Sequence, residues 1–210
     1  MNVDANVLVP LVVLVPLLGA AATLVAGRRP RLQGWATIVA LAIVVALSAV
    51  LLVVVDRDGS LAVSVGGWAA PFGIVLVVDR LAALMLTIAS IVLLAVFVFS
   101  VGQGAADGDD GDAPVSIYNP TYLILAAGVF NAFIAGDLFN LYVGFEILLV
   151  ASYVLITLGG SEQRVRAGTT YIVTSLIASA IFLTAIGLVY GATGTVNLAL
   201  IHISEPTRPY

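Results

Sequence analysis

The chain has no cysteine, no lysine and a single histidine, and only 10% of its 210 residues are charged. Without cysteine there can be no disulfide, no thiolate metal site and no thiol nucleophile. Without lysine, all eight basic residues are arginine, so any cation placed inside the fold must be an arginine or come from outside the chain. The scarcity of charge excludes an ordinary soluble domain. What fills the space is apolar: 61% of residues are hydrophobic and the mean hydropathy is +1.16. The length allows about six bilayer crossings, so the expected fold class is all-α, a polytopic membrane helix bundle. The net charge of −4 comes mainly from one acidic loop, and no nucleic-acid partner is expected.

One residue breaks the apolar pattern where it matters. The stretch Gly136-Asp137-Leu138-Phe139-Asn140-Leu141-Tyr142-Val143-Gly144-Phe145-Glu146 lies in an apolar span about twice one crossing long. Gly136-Asp137 reads as the turn between two helices, since glycine relaxes the backbone and aspartate favours a helix N-terminus. Glu146 then lies roughly 13 Å into the following helix at ~1.5 Å per residue, near the middle of a ~30 Å hydrocarbon layer. A carboxylate there costs ~2.5–3.5 kcal/mol on insertion scales, so it should face protein or water and have a partner. At ~100° per residue, Phe139, Tyr142, Val150, Tyr153 and Thr157 fall within about 40° of it. Glu146 therefore reads as a protonatable relay group, with Tyr142, Tyr153 and Thr157 beside its path. The plainer reading is a buried carboxyl that locks helices together.

The other spans follow in order. Residues 7–26 read as a retained first helix despite Pro10 and Pro16, because no basic cluster precedes them as in a signal peptide. Residues 33–55 form the second helix, closed by Asp56-Arg57-Asp58-Gly59. Residues 60–72 are too short to cross and alternate as a small hairpin or interfacial strand. The third helix starts near Ile74 or Asp79 and runs to Val101. The acidic run from Asp107 to Asp112 lacks the spacing of a calcium loop and reads as solvated, so no metal site is expected. Pro120 opens the fourth helix, whose one amide is Asn131. After the Glu146 helix, residues 159–167 read as a short polar loop and 168–190 as the sixth helix. Tyr171, Ser175 and Ser179 recur on one face of that helix, which could contact a neighbour closely or line water.

Arg28, Arg29 and Arg31 follow the first helix and Arg164 and Arg166 the fifth, against Arg57 and Arg80 at the other ends. Basic loops stay inside, so the N-terminus is expected outside. The last residues change character: Leu200 to Arg208 resembles the translation of an adapter used in transposase-based DNA sequencing. We therefore divide the chain into 1–199, a membrane domain, and 200–210, a tail to be set aside along with the only histidine, His202.

Two motifs carry a resemblance. The first is the stretch from Gly136 to Tyr142 followed by Phe145-Glu146 and Ala151-Ser152-Tyr153; the second is Tyr190-Gly191-Ala192-Thr193-Gly194-Thr195-Val196-Asn197-Leu198-Ala199. Both resemble the antiporter-like membrane subunits shared by Mrp-type multisubunit cation/proton antiporters and respiratory complex I, with the D-type members of the Mrp group the nearest. Full-length members have about fourteen helices, each of bilayer-crossing length, so the resemblance implies an N-terminal fragment truncated from that fold. It further implies a prokaryotic plasma membrane, companion membrane subunits in the lipid bilayer, and protons and a monovalent cation, Na+ foremost, as cargo. The glutamate matching Glu146 pairs in the family with a lysine on the seventh helix, a residue this chain lacks. No cofactor and no enzymatic activity are implied. The alternatives are a proton-pumping subunit of an NADH:quinone oxidoreductase and, in a different class, a non-transporting scaffold. Ser175 and Ser179 join Tyr142, Tyr153 and Thr157 as path-lining candidates.

Overall fold

The chain builds helices because its long apolar runs can satisfy their backbone groups only within each segment once water is excluded. The computed structural model describes residues 5–27, 29–68, 73–103 and 117–201. The acidic run, Arg28 and the tail from His202 onward lie outside them. Six long helices appear in order: α1 Ala5–Ala26, α2 Pro30–Asp58, α3 Arg80–Gly102, α4 Tyr118–Ile134, α5 Leu138–Thr157 and α6 Glu162–Thr193. A single turn, α7 Leu198–Ile201, follows and includes the first two residues of the expected tail. Among the described residues, five of these helices are long and apolar enough to cross a membrane; α4, with 17 residues, is the shortest of the six.

Helix starts follow local chemistry. Asp79 Oδ1 accepts from Ala82 N at 2.7 Å to open α3, and Asp137 Oδ1 accepts from Asn140 N at 2.7 Å to open α5. The third helix thus begins at the later of its two expected starts, because Val75–Val78 is a strand. One expectation needs correction. Residues 162–167 are not loop: Ser161 caps Arg164 N, Glu162 follows at the positive end of the helix, and α6 begins there. Its 32 residues span about 48 Å at 1.5 Å each, longer than a ~30 Å hydrocarbon layer.

The hairpin expected within residues 60–72 has only its first strand there; the second lies beyond, at residues 75–78, past the earlier of the two expected starts of the third helix. β1 Leu61–Ser64 pairs antiparallel with β2 Val75–Val78, in register from Leu61↔Val78 to Ser64↔Val75. It does more than cap one end. Gly136 N donates to Val75 O at 2.8 Å, Leu138 N to Val196 O at 2.9 Å and Leu198 N to Gly136 O at 3.1 Å. Backbone bonds therefore join the hairpin, the α4–α5 turn and the exit from α6 at one end of the bundle.

The core lies among α1 to α4, with Val9, Leu41, Leu51, Leu86, Phe97, Leu123 and Phe130 fully buried. Buried polar groups there are paired across helices. Gln33 Nε2 donates to Thr23 O and Gly27 O at 3.0 and 2.7 Å, Asn119 Nδ2 donates to Gln33 Oε1 at 3.1 Å, and Ser48 meets Ser90 at 3.1 Å. α4 and α5 cross closely through glycine: a Cβ on Gly128 would lie 2.8 Å from Leu148 N, and one on Gly144 2.8 Å from Asn131 Nδ2. Small residues allow this approach where lipid gives helices no hydrophobic reason to associate.

Candidate functional site

The α5–α6 pair holds the chain's membrane-depth carboxylate. Asp137 is 4% exposed, and its two oxygens accept from Asn140 N at 2.7 Å and Val75 N at 3.4 Å. That fixes where α5 begins and hence how deep Glu146 lies, about 13 Å further along at 1.5 Å per residue. Glu146 is half-buried. Ser179, on α6 and 5% exposed, donates its hydroxyl to Glu146 Oε1. Tyr142 Oη stands 3.2 Å from the same Ser179 Oγ. Since a serine has one hydroxyl proton and here it goes to Glu146, Tyr142 must be the donor in that second contact. The order is then Tyr142 to Ser179 to Glu146.

Aromatic rings flank this series. Phe182, one turn along α6 from Ser179, meets Tyr142 edge-on at 5.9 Å and Phe145 at 6.2 Å between centroids. Among the described residues, the one ion pair is Arg80 with Asp56, so Glu146 has no basic partner there. Nor do the described residues contain a group of three or more histidine, cysteine or acidic side chains fit to hold a metal ion.

Of the six residues singled out by sequence, the structure brings three together: Glu146, Tyr142 and Ser179. The others lie elsewhere along the same interface. Thr157 bonds to the carbonyls of Tyr153 and Val154 in its own helix, at 3.0 and 3.2 Å. Its side chain and the Tyr153 ring pack over Gly168 at the opposite end of the pair. Ser175 is half-buried one turn before Ser179. The serine-tyrosine face of α6 turns toward α5, where Tyr171 Oη also meets Ser152 Oγ at 2.7 Å. The threonines need no water. Thr169, Thr170, Thr174 and Thr184 each donate to the carbonyl four residues back.

Two asparagines form a pair that periodicity does not announce. Asn131 Nδ2 reaches Asn140 O and Oδ1, both at 3.2 Å, while Asn140 Nδ2 is buried with no protein acceptor among the described residues. The signal in the sequence is weak, an amide near each end of the same turn. Phe182 could not have been found by periodicity on α5, because it comes from the neighbouring helix.

Comparison with known proteins gives a likeness for the chain. The family described as "NADH:quinone oxidoreductase/Mrp antiporter, TM" matches residues 135–205, which hold Asp137, Tyr142, Glu146 and Ser179. The D subunit of the Na(+)/H(+) antiporter of Bacillus subtilis (strain 168) is 39% identical over 202 residues, 95% of this chain. The chain is thus similar, over nearly its whole length, to the antiporter-like membrane subunits. This antiporter-like chain also superposes on a chain of the Mrp complex from Dietzia sp. DQ12-45-1b with a TM-score of 0.83 and 32% identity, over 94% of this chain and 39% of the other. A chain of respiratory complex I from Thermus thermophilus shares the fold, with a TM-score of 0.74 at 20% identity, over 93% of this chain and 39% of the other. The antiporter-like chain spans about 40% of the length of the Bacillus relative.

Proposed function

We propose that this antiporter-like chain is part of a membrane subunit of a multisubunit cation/proton antiporter, and that Glu146 is its proton relay. The observation that carries the reading is the series Tyr142, Ser179, Glu146, which joins two membrane helices through hydroxyls that both donate and accept. With Glu146 ionised, the hydroxyl protons point toward the carboxylate. When Glu146 takes up a proton, it becomes a donor, and Ser179 and Tyr142 can turn to accept in reverse order. Such a reversible series passes a proton without moving the backbone.

Glu146 then needs a counter-charge that comes and goes, because an acid held permanently in one state moves nothing. The chain contains no lysine and no arginine among the described residues pairs with Glu146, so this reading calls for a basic group from a companion subunit or another part of the complete subunit. The Bacillus relative, a component of a Na(+)/H(+) antiporter, favours Na+ as the exchanged ion and antiport over a role in an NADH:quinone oxidoreductase. The exposed Arg29, Arg31, Arg164 and Arg166 at one end of the bundle support an inward-facing basic side and an outward-facing N-terminus in a prokaryotic membrane. Leu200 onward has no role in this mechanism.

The test restores the full-length subunit to its complete assembly in an antiporter-deficient host and compares wild type with Glu146→Gln. Loss of sodium tolerance and of ion-coupled proton flux, with the assembly still recovered intact from membranes, is the expected result. Normal flux in the Gln variant would reduce Glu146 to a structural carboxyl.

A further inference from the structure

At the end of the bundle away from the hairpin, a crevice of about 600 Å3 lies between the close of α1 and the opening of α2, lined by Ala22, Val25, Ala26, Arg29, Leu32 and Ala36. Its lining is apolar except for one guanidinium. Val25 is 89% exposed, and Ala22 and Leu32 are exposed as well, while Ala26 and Ala36 are half-buried. From Ala5 to Val55 the chain has no aspartate or glutamate, and the one ion pair among the described residues is Arg80 with Asp56. The carboxylates of α2, Asp56 and Asp58, stand at its far end. Arg29 thus has no carboxylate beside it on either helix, at the mouth of an apolar slot, where a membrane-crossing segment meets the bilayer surface.

These features make two demands on an occupant: an anion that a planar guanidinium can grip through two oxygens, and a hydrocarbon part that wets the alanine walls. A free inorganic anion meets only the first. We propose that this crevice is a binding site for an anionic phospholipid, with the phosphodiester on Arg29 and the start of an acyl chain against Ala22, Ala26 and Ala36. The volume falls within the range of small-molecule sites. Basic pockets between membrane helices on the cytoplasmic side are the kind of place where anionic headgroups settle. Arg31, exposed two residues on, adds positive charge to the same end. Zwitterionic lipid would keep the apolar contact but set its own choline or ethanolamine cation near Arg29.

Native mass spectrometry of the full 210-residue chain in detergent micelles tests this, with phosphatidylglycerol, phosphatidylcholine and inorganic phosphate titrated separately. Phosphatidylglycerol should be retained at least tenfold more tightly than phosphatidylcholine, and phosphate alone should not compete with it. Arg29→Gln, a change at an exposed position whose helix content circular dichroism verifies, should remove the preference, whereas Arg31→Gln should leave most of it. Ala36→Leu should weaken retention of both lipids by filling the slot. Equal binding of the two lipids by wild type, an undiminished preference in Arg29→Gln, or full competition by phosphate would each overturn the proposal. In membranes containing the complete assembly, a photo-crosslinker at position 36 should capture lipid. Capture of another polypeptide there overturns the assignment in favour of a contact between subunits.

Discussion

The two halves of this bundle are held together differently. α1 to α4 enclose a continuous core, whereas α6 packs closely against α5 alone. Of α2's apolar stretch 33% is buried; of α6's only 11% is. Yet the membrane-depth carboxylate and its hydroxyl partners lie in the thinly packed pair. In the four-helix part, Gln33 bonds Thr23 O, Gly27 O and Asn119 Nδ2 on neighbouring segments, while Asn119 Oδ1 is buried without a partner among the described residues. In the α5–α6 pair, Tyr142 and Ser179 hold hydroxyls that can reverse direction. The contrast sets side chains bonded across a continuous core against a hydroxyl series in a thinly packed pair, which is where the proposed relay needs bonds that can turn over.

Mutations can break or sharpen this contrast. The largest effect is expected from Glu146→Gln, which should lower ion-coupled proton flux by roughly 100-fold or more, the usual contribution of a positioned acid or base, with assembly unchanged. Flux is read by fluorescence quenching in everted vesicles. Gly144→Val should act on the joint between the two parts, since its side chain would collide with Asn131 Nδ2 and the backbone of Ala132. Overpacking of that kind costs about 1–3 kcal/mol, measurable as a lowered midpoint in denaturant titration. If Gly144→Val instead left stability untouched, the close crossing of α4 and α5 would be wrong. Ser179→Ala should reduce flux roughly tenfold, matching loss of one hydrogen bond to a charged group, and Ser179→Thr should restore most of it. Unaltered flux in Ser179→Ala would remove serine from the series. Least of all, Asp56→Asn should change stability by about 0.5 kcal/mol or less, because the Arg80–Asp56 pair at 3.3 Å is well exposed on both sides.

Much of this is legible in residue order. Glu146 stands out because a charge inside an apolar run has few innocent explanations, and Asp137 announces the start of α5 by its capping chemistry. Tyr142 is recoverable because it shares a stripe with Glu146 on one helix. Tyr153 and Thr157 share that stripe too, but a stripe on a single helix extends past the neighbour's reach, and these two meet α6 around Gly168, far from the carboxylate. The beginning of α6 is hidden because Glu162, Arg164 and Arg166 look like loop residues. Ser161 caps them into the helix, and a helix can run on past the bilayer surface with charged side chains in water.

Residue order alone determined the class of molecule, the number and approximate bounds of the spans, and the presence of an acid at membrane depth. These depend on composition and on periodicities local to one segment. Tertiary structure alone decided that Ser179, not Ser175, reaches Glu146, that Phe182 closes over Tyr142, and that the hairpin binds the exits of α4 and α6. Such contacts are set by how helices rotate and cross, and in lipid that depends on close packing of small residues, which leaves almost no trace in hydrophobic pattern.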